Sequence, residues 1–277
     1  MTRRILTTLV RMAMAAPRLP VQPAGKPVDS MITPGLVSVT FRQLAPAAVV
    51  SVAVRAGLRA IEWGGDVHVP DRAAASRVAW LTSDAGLRAA CFGSYLRLGE
   101  PEGDPPAVVD TAAALGAPLI RVWAGRLPSA SASADDWSRI VADARRVGAL
   151  AADVGIDVAF EYHRNTLTDT RASALRLLEL VGRPNVGTLW QPNPTRDVDE
   201  NLGDLASVLP WLRNVHVFSW TPARDRLPLA AQAPAWRRYL AAAGGDRCAL
   251  LEFVAGDDPA RLVEDAATLH ELLAAPA

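Results

Sequence analysis

Lysine is almost absent from this 277-residue chain: it occurs once, at Lys26, and every other basic residue is arginine. A Schiff base with a substrate or with pyridoxal phosphate needs a lysine in the protein core. A phosphate-binding P-loop needs Gly-Lys followed by Ser or Thr. Lys26 lies instead between Gly25 and Pro27, in a proline-rich stretch. The sequence therefore excludes lysine-dependent aldolases, pyridoxal enzymes and P-loop NTPases.

Cysteine, net charge and long apolar runs are also scarce. The two cysteines, Cys91 and Cys248, fall in separate predicted strands, and two reduced thiols are favoured over a disulfide. Acidic and basic residues number 29 each, so the net charge of zero offers no positive track for nucleic acid. No run approaches the roughly 20 apolar residues of a membrane span. We therefore expect a cytoplasmic enzyme that binds neither nucleic acid nor a membrane.

The first 30 residues differ in composition from the rest of the chain. Arg3, Arg4 and the apolar stretch 5–10 imitate a signal peptide, but Arg11 interrupts the apolar run. A flexible N-terminal extension is favoured, with an exported leader as the alternative. The predicted organisation is an extension over residues 1–30 and a single domain over residues 31–277, a length common for one α/β barrel.

From Gly35 onward one pattern recurs: an amphipathic helix, a glycine that can end it, and a short apolar strand. The letters AGLRA occur twice, at 56–60 and 85–89, each time just before an apolar segment. The predicted strands cover about residues 35–41, 59–64, 88–94, 118–124, 156–162, 186–191, 213–219 and 247–253. The predicted helices cover about residues 45–57, 71–85, 105–116, 134–154, 169–182, 199–208, 231–243 and 257–274. Eight alternating strands and helices predict a (β/α)8 TIM barrel of the α/β class, with a doubly wound open sheet as the alternative.

Four polar residues stand at the ends of the last four predicted strands: Glu161, Gln191, His216 and Glu252. Strand ends of a parallel barrel converge on one rim, so these side chains can meet although they are far apart in sequence. A carboxylate at the end of an apolar strand is costly to bury unless it is paired or binds a metal. A salt bridge explains either glutamate alone equally well. Together the four residues favour a site that binds a metal or moves a proton.

Other residues near these strand ends are candidates for substrate contacts. His163 follows Glu161 by two positions and therefore faces the same way. His68 lies in a loop on the same predicted rim, and Arg121 either binds a polar group of a substrate or pairs with a carboxylate such as Glu62. Indole rings at a rim suit the apolar faces of sugars, although plugging the barrel mouth is nearly as good an explanation. The four tryptophans at strand ends are Trp63, Trp123, Trp190 and Trp220.

With these residues the chain resembles the xylose-isomerase-like TIM-barrel superfamily over about residues 31–275. The resemblance rests on GLVSVTF, AGLRAIEWGG and IRVWAG, and on the series Glu, polar, His, Glu at the ends of strands five to eight. In ketose epimerases and related isomerases of that superfamily, the series is Glu-Asp-His-Glu around one divalent metal. The resemblance implies the same role for Glu161, Gln191, His216 and Glu252. Gln191 departs from the usual aspartate, and Pro194 stands where a histidine often follows.

The activity implied by the resemblance is a metal-dependent isomerase or epimerase of a sugar, keto-sugar or sugar phosphate, in carbohydrate metabolism. One Mn²⁺, Mg²⁺ or Co²⁺ ion, with Zn²⁺ as an alternative, would polarise a carbonyl and stabilise an enediolate while Glu161 and Glu252 move the proton. The expected partner is a small sugar-derived molecule, and association of the chain into a homo-oligomer is an open alternative. A lyase or dehydratase with the same metal site and a non-catalytic sugar-binding protein are the alternatives. A nuclease of the endonuclease-IV type is disfavoured because it needs more histidines than the four present.

Overall fold

The structure, a computed structural model, describes residues 32–274 and consists of a closed barrel of eight parallel strands surrounded by eight helices. The strands, β1 to β8, are Thr33–Val37, Ala60–Gly64, Arg88–Arg97, Leu119–Trp123, Asp157–Glu161, Val186–Trp190, Leu212–Val217 and Cys248–Leu251. The helices, α1 to α8, are Pro46–Arg55, Arg72–Asp84, Pro105–Leu115, Ala134–Ala152, Arg171–Val181, Val198–Val208, Ala233–Ala243 and Pro259–Ala274. Strand β1 pairs with β8 and so closes the sheet. The predicted (β/α)8 barrel is confirmed, while the predicted extension lies outside the described residues.

Polar side chains begin the helices largely where the sequence predicts. Asp71, Asp104 and Ser133 each accept a hydrogen bond from the first turn of α2, α3 and α4, respectively. Helix α5 begins two residues later than predicted because Thr168 donates its hydroxyl to the carbonyl at the end of β5. Thr170 caps the helix in its place. The loop after β5 is therefore tied to the strand that precedes it.

The first strand is shorter than predicted. Strand β1 ends at Val37, and residues Ser38–Phe41 form a 3-10 turn. The Ser38 hydroxyl accepts from the backbone N–H of Gly64 at 2.9 Å, and the Thr40 hydroxyl accepts from the N–H of Phe253 at 3.0 Å. These side chains satisfy backbone donors at the ends of β2 and β8, so the chain turns over the barrel mouth instead of extending the sheet.

Apolar side chains fill the space around the strands and the lower part of the barrel interior. One large cluster packs helix residues such as Val49 and Leu177 against strand residues such as Ile61 and Val122. Smaller clusters include both cysteines, which are buried and form no disulfide, as expected. None of the helices described between residues 32 and 274 has the length and apolarity needed to cross a membrane.

Candidate active site

A cavity of about 430 Å³ opens at the carboxyl ends of β5 to β8. Glu161, Gln191 and Glu252 line it, together with His163 and Trp220. Its whole wall comes from residues 161–253, the second half of the barrel. Five of the residues singled out in the sequence therefore lie on one cavity wall.

His216 lies beneath this cavity, fully buried, and contacts a residue from the opposite side of the barrel. Its Nε2 atom is 3.1 Å from Glu62 Oε2. Strands β2 and β7 are not neighbours in the sheet, so this contact crosses the barrel interior. Its other ring nitrogen, Nδ1, is 3.5 Å from Glu252 Oε2 without hydrogen-bond geometry. His216 therefore lies between Glu62 on one side and Glu252 of the cavity wall on the other.

Arg121 of β4 joins Glu62 to the cavity wall. Its Nη1 atom donates to Glu161 Oε2 at 2.7 Å, and its Nε atom is 3.5 Å from Glu62 Oε1. The guanidinium is 3% exposed, so two buried carboxylates compensate one buried cation. Gly93 of β3 provides the room, because a Cβ atom there would lie 2.9 Å from Glu62 Oε1 and 3.0 Å from Arg121 Nη2. Of the two roles considered for Arg121, the structure shows the carboxylate pair.

Glu161 is held by two donors on one oxygen. Besides Arg121, the indole Nε1 of Trp123 donates to Glu161 Oε2 at 2.6 Å. The Trp123 ring is itself fixed between Arg97, 3.7 Å from the ring centroid, and His163, stacked at 5.2 Å and 13°. Trp123 therefore positions Glu161, while His163, stacked on Trp123, lines the cavity.

The two carboxyl groups on the cavity wall have pKa values shifted in opposite directions. Burial acts to raise the pKa of Glu161, but the positive charges of Arg121 and His216 hold it below its usual value. Burial raises the pKa of Glu252 to about 7, with His216 opposing the rise and the charge of Glu161 adding to it. Glu161 is therefore an anion at neutral pH, while Glu252 is only partly ionised.

The two histidines of the site are also shifted in opposite directions. Burial acts to lower the pKa of His216, but Glu62 and Glu252 outweigh it and raise the value to about 9. Burial lowers the pKa of His163, and Arg121 adds to this effect. His163 is therefore neutral at pH 7, and the Nδ1 of its ring lies 2.6 Å from the carbonyl oxygen of Arg164, which requires Nδ1 to carry the proton.

Gln191 follows β6 and directs its amide oxygen away from the protein backbone. The amide nitrogen donates to the carbonyl of Tyr162 at 3.0 Å. A carbonyl only accepts hydrogen bonds, so this contact fixes which end of the amide is the NH₂ group. Within residues 32–274, the buried oxygen Oε1 has no hydrogen-bond partner. Gln191 thus offers a free oxygen donor beside the cavity.

These donors fit one divalent metal ion. Gln191 Oε1 and His216 Nδ1 are buried atoms without hydrogen-bond partners in the described part of the chain, and Glu161 and Glu252 add carboxylate oxygens. Such a mixed oxygen and nitrogen set suits Mn²⁺, Mg²⁺ or Co²⁺. Among the described residues no three His, Cys, Asp or Glu side chains already converge on one point.

The charges of the site also fit a divalent ion. Glu62, Glu161 and Glu252 carry three negative charges when ionised, and Arg121 carries one positive charge. A doubly charged ion with neutral His216 brings the sum to zero, which favours burial of the whole group. In the absence of metal, the raised pKa values of His216 and Glu252 show that protons provide part of this compensation.

Of the seven predicted substrate contacts, His163 and Trp220 line the cavity. Arg121 and Trp123 do not line it but bind Glu161, which does.

The other three predicted contacts lie away from the cavity. The Trp63 indole is fully buried and donates to Thr82 of α2 at 3.1 Å, so it faces the helices. Trp190 is fully buried against Tyr239 of α7. His68 is 2.9 Å from the Ser38 hydroxyl and is buried in the loop after β2. Trp63 and Trp190 face away from the barrel interior because neighbouring strand residues face opposite sides of the sheet. His68 is instead held in its loop by contacts with the Ser38 hydroxyl and the Leu44 carbonyl.

Glu62 is the residue that the sequence prediction missed. It carries the same signal as Glu161, a carboxylate at the end of an apolar strand, in the segment AIEWG. Strand alternation places Glu62 on the face opposite Trp63, inside the barrel. Glu62 was predicted as one partner for Arg121, and the structure shows this pair. The contact between Glu62 and His216 was not predicted.

Strained backbone is concentrated around the cavity. Among the described residues other than glycine, those with positive φ are Asn165, Arg224, Phe253 and Asp257. They lie in the loops that follow β5, β7 and β8. Side chains disfavour this conformation, and such residues cluster at functional sites. The backbone therefore supports the same location as the donor atoms.

Comparison with known proteins identifies one family. Residues 50–239 match the family described as xylose isomerase-like TIM barrel. A comparison with curated protein sequences gives no significant match.

Solved structures with a similar fold come from several enzymes. The probable 3-DHS dehydratase AsbF from Bacillus anthracis is 20% identical, with a TM-score of 0.71 over 87% of this chain and 99% of that chain. D-psicose 3-epimerase from Clostridium cellulolyticum H10 is 16% identical, with a TM-score of 0.68 over 87% and 98%. A xylose isomerase domain protein from Alicyclobacillus acidocaldarius is 21% identical, with a TM-score of 0.67 over 88% and 98%. At these identities the likeness shows the fold alone.

Proposed function

Because this chain belongs to the xylose isomerase-like TIM barrel family, we propose that it is a divalent-metal-dependent isomerase or epimerase of a sugar, keto-sugar or sugar phosphate. The observation that carries the proposal is the arrangement of Glu161, Gln191 and Glu252 on one cavity wall. His216 adds to it, because its Nδ1 lies 3.5 Å from Glu252 Oε2. The similar fold of a D-psicose 3-epimerase supports the choice of substrate class.

The four donors would hold the metal, which would supply the positive charge that polarises a substrate carbonyl. Glu161 accepts the proton from the carbon next to that carbonyl, since Arg121 and Trp123 keep its carboxylate ionised and oriented. Glu252 reaches the cavity from β8 and has the higher pKa, so it is the better donor of a returning proton. Transfer by both carboxylates gives epimerisation, and transfer by Glu161 alone gives 1,2-isomerisation.

Glu62 sets the role of His216. Accepting a hydrogen bond at Oε2, it places the proton of a neutral imidazole on Nε2 and leaves the lone pair on Nδ1, beside Glu252. A carboxylate behind a histidine ligand orients the ring and increases its basicity. Glu62 is thus a positioning residue, and the Arg121 pair keeps its charge compensated.

The cavity suits a small polyhydroxylated substrate. Its volume of about 430 Å³ lies within the roughly 300–1,000 Å³ typical of ligand sites. The Trp220 ring stacks on Phe218 with centroids 4.4 Å apart, so an apolar surface adjoins the carboxylates. This combination matches a sugar, which has hydroxyl groups at its edge and C–H groups on its face.

A dehydratase is the second candidate. The probable 3-DHS dehydratase from Bacillus anthracis shares the fold, and a carboxyl group with a pKa of about 7 is suited to protonate a departing hydroxyl. Both candidates begin with the same proton abstraction by Glu161. They differ in whether the proton returns to carbon or water leaves.

Proton exchange in D₂O distinguishes the candidates. The protein with Mn²⁺ would be incubated with a panel of aldoses, ketoses and their phosphates, and the products analysed by NMR. An isomerase or epimerase introduces deuterium at the carbon next to the carbonyl. A dehydratase instead releases one molecule of water and gives a product with a new carbon–carbon double bond. Exchange that proceeds equally well after metal removal with EDTA would contradict the proposal.

A further inference from the structure

A second cavity, of about 320 Å³, adjoins the first. The loop after β6 and the segment between β7 and α7 form most of its wall. Five residues line both cavities: Pro192, Asn193, Pro194, Phe218 and Trp220. The two cavities are therefore adjacent spaces with one common wall, and this wall contains the stacked rings of Phe218 and Trp220.

The second cavity differs from the first in chemistry. Three of its polar side chains donate hydrogen bonds to the protein. Asn201 donates to three backbone carbonyls, Arg196 donates to Asp204, and the Gln232 amide donates to the carbonyl of Trp220. The rest of the wall is largely apolar and includes Pro234. Unlike the first cavity, this space contains no carboxylate.

We propose that the second cavity is a subsite for a flat apolar substituent, such as an aromatic ring, of the same substrate whose polyhydroxylated part lies in the carboxylate-lined cavity. The subsite rests on the proposed function, because it assigns to that reaction a sugar conjugate in place of a free monosaccharide. Aromatic rings pack favourably against Trp and Phe side chains. A sugar ring in this space would find few free polar groups, because Asn201, Arg196 and the Gln232 amide nitrogen already donate to the protein. The indole nitrogen of Trp220 is a buried donor without a hydrogen-bond partner among residues 32–274.

The shared wall is the reason to assign one ligand to both spaces. The second cavity begins at Trp220 and the Pro192–Pro194 loop, which also line the first, so a substituent on a sugar in the first cavity can extend into the second without leaving the protein. Three prolines line it, namely Pro192, Pro194 and Pro234. Their restricted backbones reduce the entropy lost when a ligand binds.

The test uses substitutions that fill only the second cavity. Ala235, at the start of α7, lines this cavity and not the first, so Ala235→Trp occupies the space of the substituent. Ala231→Trp, in the preceding turn, is an independent variant with the same purpose. Ala241→Trp is the matched control, since Ala241 is an exposed residue of the same helix away from both cavities. Unchanged melting temperature and Mn²⁺ affinity would establish that each variant is folded.

Phenol and pairs of phenyl and methyl glycosides are the probes. We expect saturable phenol binding by NMR in the wild-type protein and in Ala241→Trp, and its loss in the two filling variants. For the sugars that bind, phenyl glycosides should bind about tenfold more tightly than methyl glycosides, and the filling variants should abolish this preference. No saturable phenol binding, or phenol binding that survives both filling variants, would overturn the subsite. Proton exchange in D₂O with free sugars tests the proposed function separately, because that reaction needs only the first cavity.

Discussion

The two halves of the barrel rim differ in what their polar side chains do. At the ends of β1 to β4, here the closed half, they pair with one another, as Arg42 does with Asp66 and His68 with Ser38. At the ends of β5 to β8, the open half, Gln191 Oε1 has no hydrogen-bond partner within residues 32–274, and every residue lining the main cavity lies there. Under the proposed function, the open half would provide the donor atoms for the reaction, and the closed half would hold them in place.

The connection between the halves runs through the barrel interior. Glu62 and Arg121, from the closed half, contact His216 and Glu161, from the open half. The backbone shows the same division, since the described non-glycine residues with positive φ all lie in loops of the open half. Substitutions in the open half should therefore change activity with the fold retained, and substitutions in the connection should change stability.

The largest expected effect is on turnover, from Glu161→Gln or Glu252→Gln. Each variant keeps the size of the side chain but loses the proton-transfer group, so kcat should fall by up to about 10⁴-fold. The double variant should be little worse than either single variant, because the two carboxylates act as a unit. Glu179→Gln, an exposed residue of α5, is the control and should keep full activity. A single variant with near-normal kcat would remove that glutamate from the catalytic pair.

The next effect is on stability, from Arg121→Met. Removing the guanidinium leaves Glu62 and Glu161 buried without compensation, which should cost about 3–5 kcal/mol in the free energy of unfolding. Urea denaturation measures this. Arg42→Met, which breaks the exposed pair of the closed half, should cost less than about 1 kcal/mol. Equal losses for the two variants would show that the interior network is no more important than a surface pair.

The pH dependence of metal affinity follows from the raised pKa values. Metal binding must displace the proton of His216, with a pKa of about 9, and below pH 7 also that of Glu252, with a pKa of about 7. Affinity for Mn²⁺ should therefore rise about tenfold per pH unit between pH 7 and 8.5, and more steeply below pH 7. Calorimetry in two buffers of different ionisation enthalpy counts the released protons. An affinity independent of pH would exclude His216 as a ligand.

The smallest expected effect is that of Gln191→Asp. A third ligand carboxylate makes the complex one charge more negative, so Mn²⁺ should bind roughly tenfold more tightly. The more neutralised ion is the weaker Lewis acid, so kcat should not increase. Gln191→Leu is the matched variant that removes the donor, and it should bind Mn²⁺ less tightly. Affinities unchanged in both variants would mean that the site consists of Glu161, His216 and Glu252 only.

The sequence predicted the open half better than the closed half, for a physical reason. Glu161, Gln191 and Glu252 each end a short apolar strand, and convergence at the rim does not depend on details of the sheet. Strand alternation also directs Glu62 to the face opposite Trp63. Its contact with His216, however, depends on the distance across the barrel interior, which sequence periodicity does not report.

Other features follow from tertiary contacts that the sequence does not encode locally. Trp63 stands at the end of a predicted strand and was therefore expected at the rim, but its side chain packs on α2. The contact between Glu62 and His216 joins residues 154 positions apart, across the barrel. The second cavity arises from how two loops pack together, so neither loop alone predicts it.

Anomalous diffraction from crystals grown with Mn²⁺ tests most directly whether one divalent metal binds at the open half. Data collected above and below the manganese absorption edge locate the ion independently of any activity. We predict one peak per chain, in contact with Gln191 Oε1, His216 Nδ1 and the carboxylates of Glu161 and Glu252. A peak elsewhere, or none with saturating Mn²⁺ at pH 8, would contradict the account.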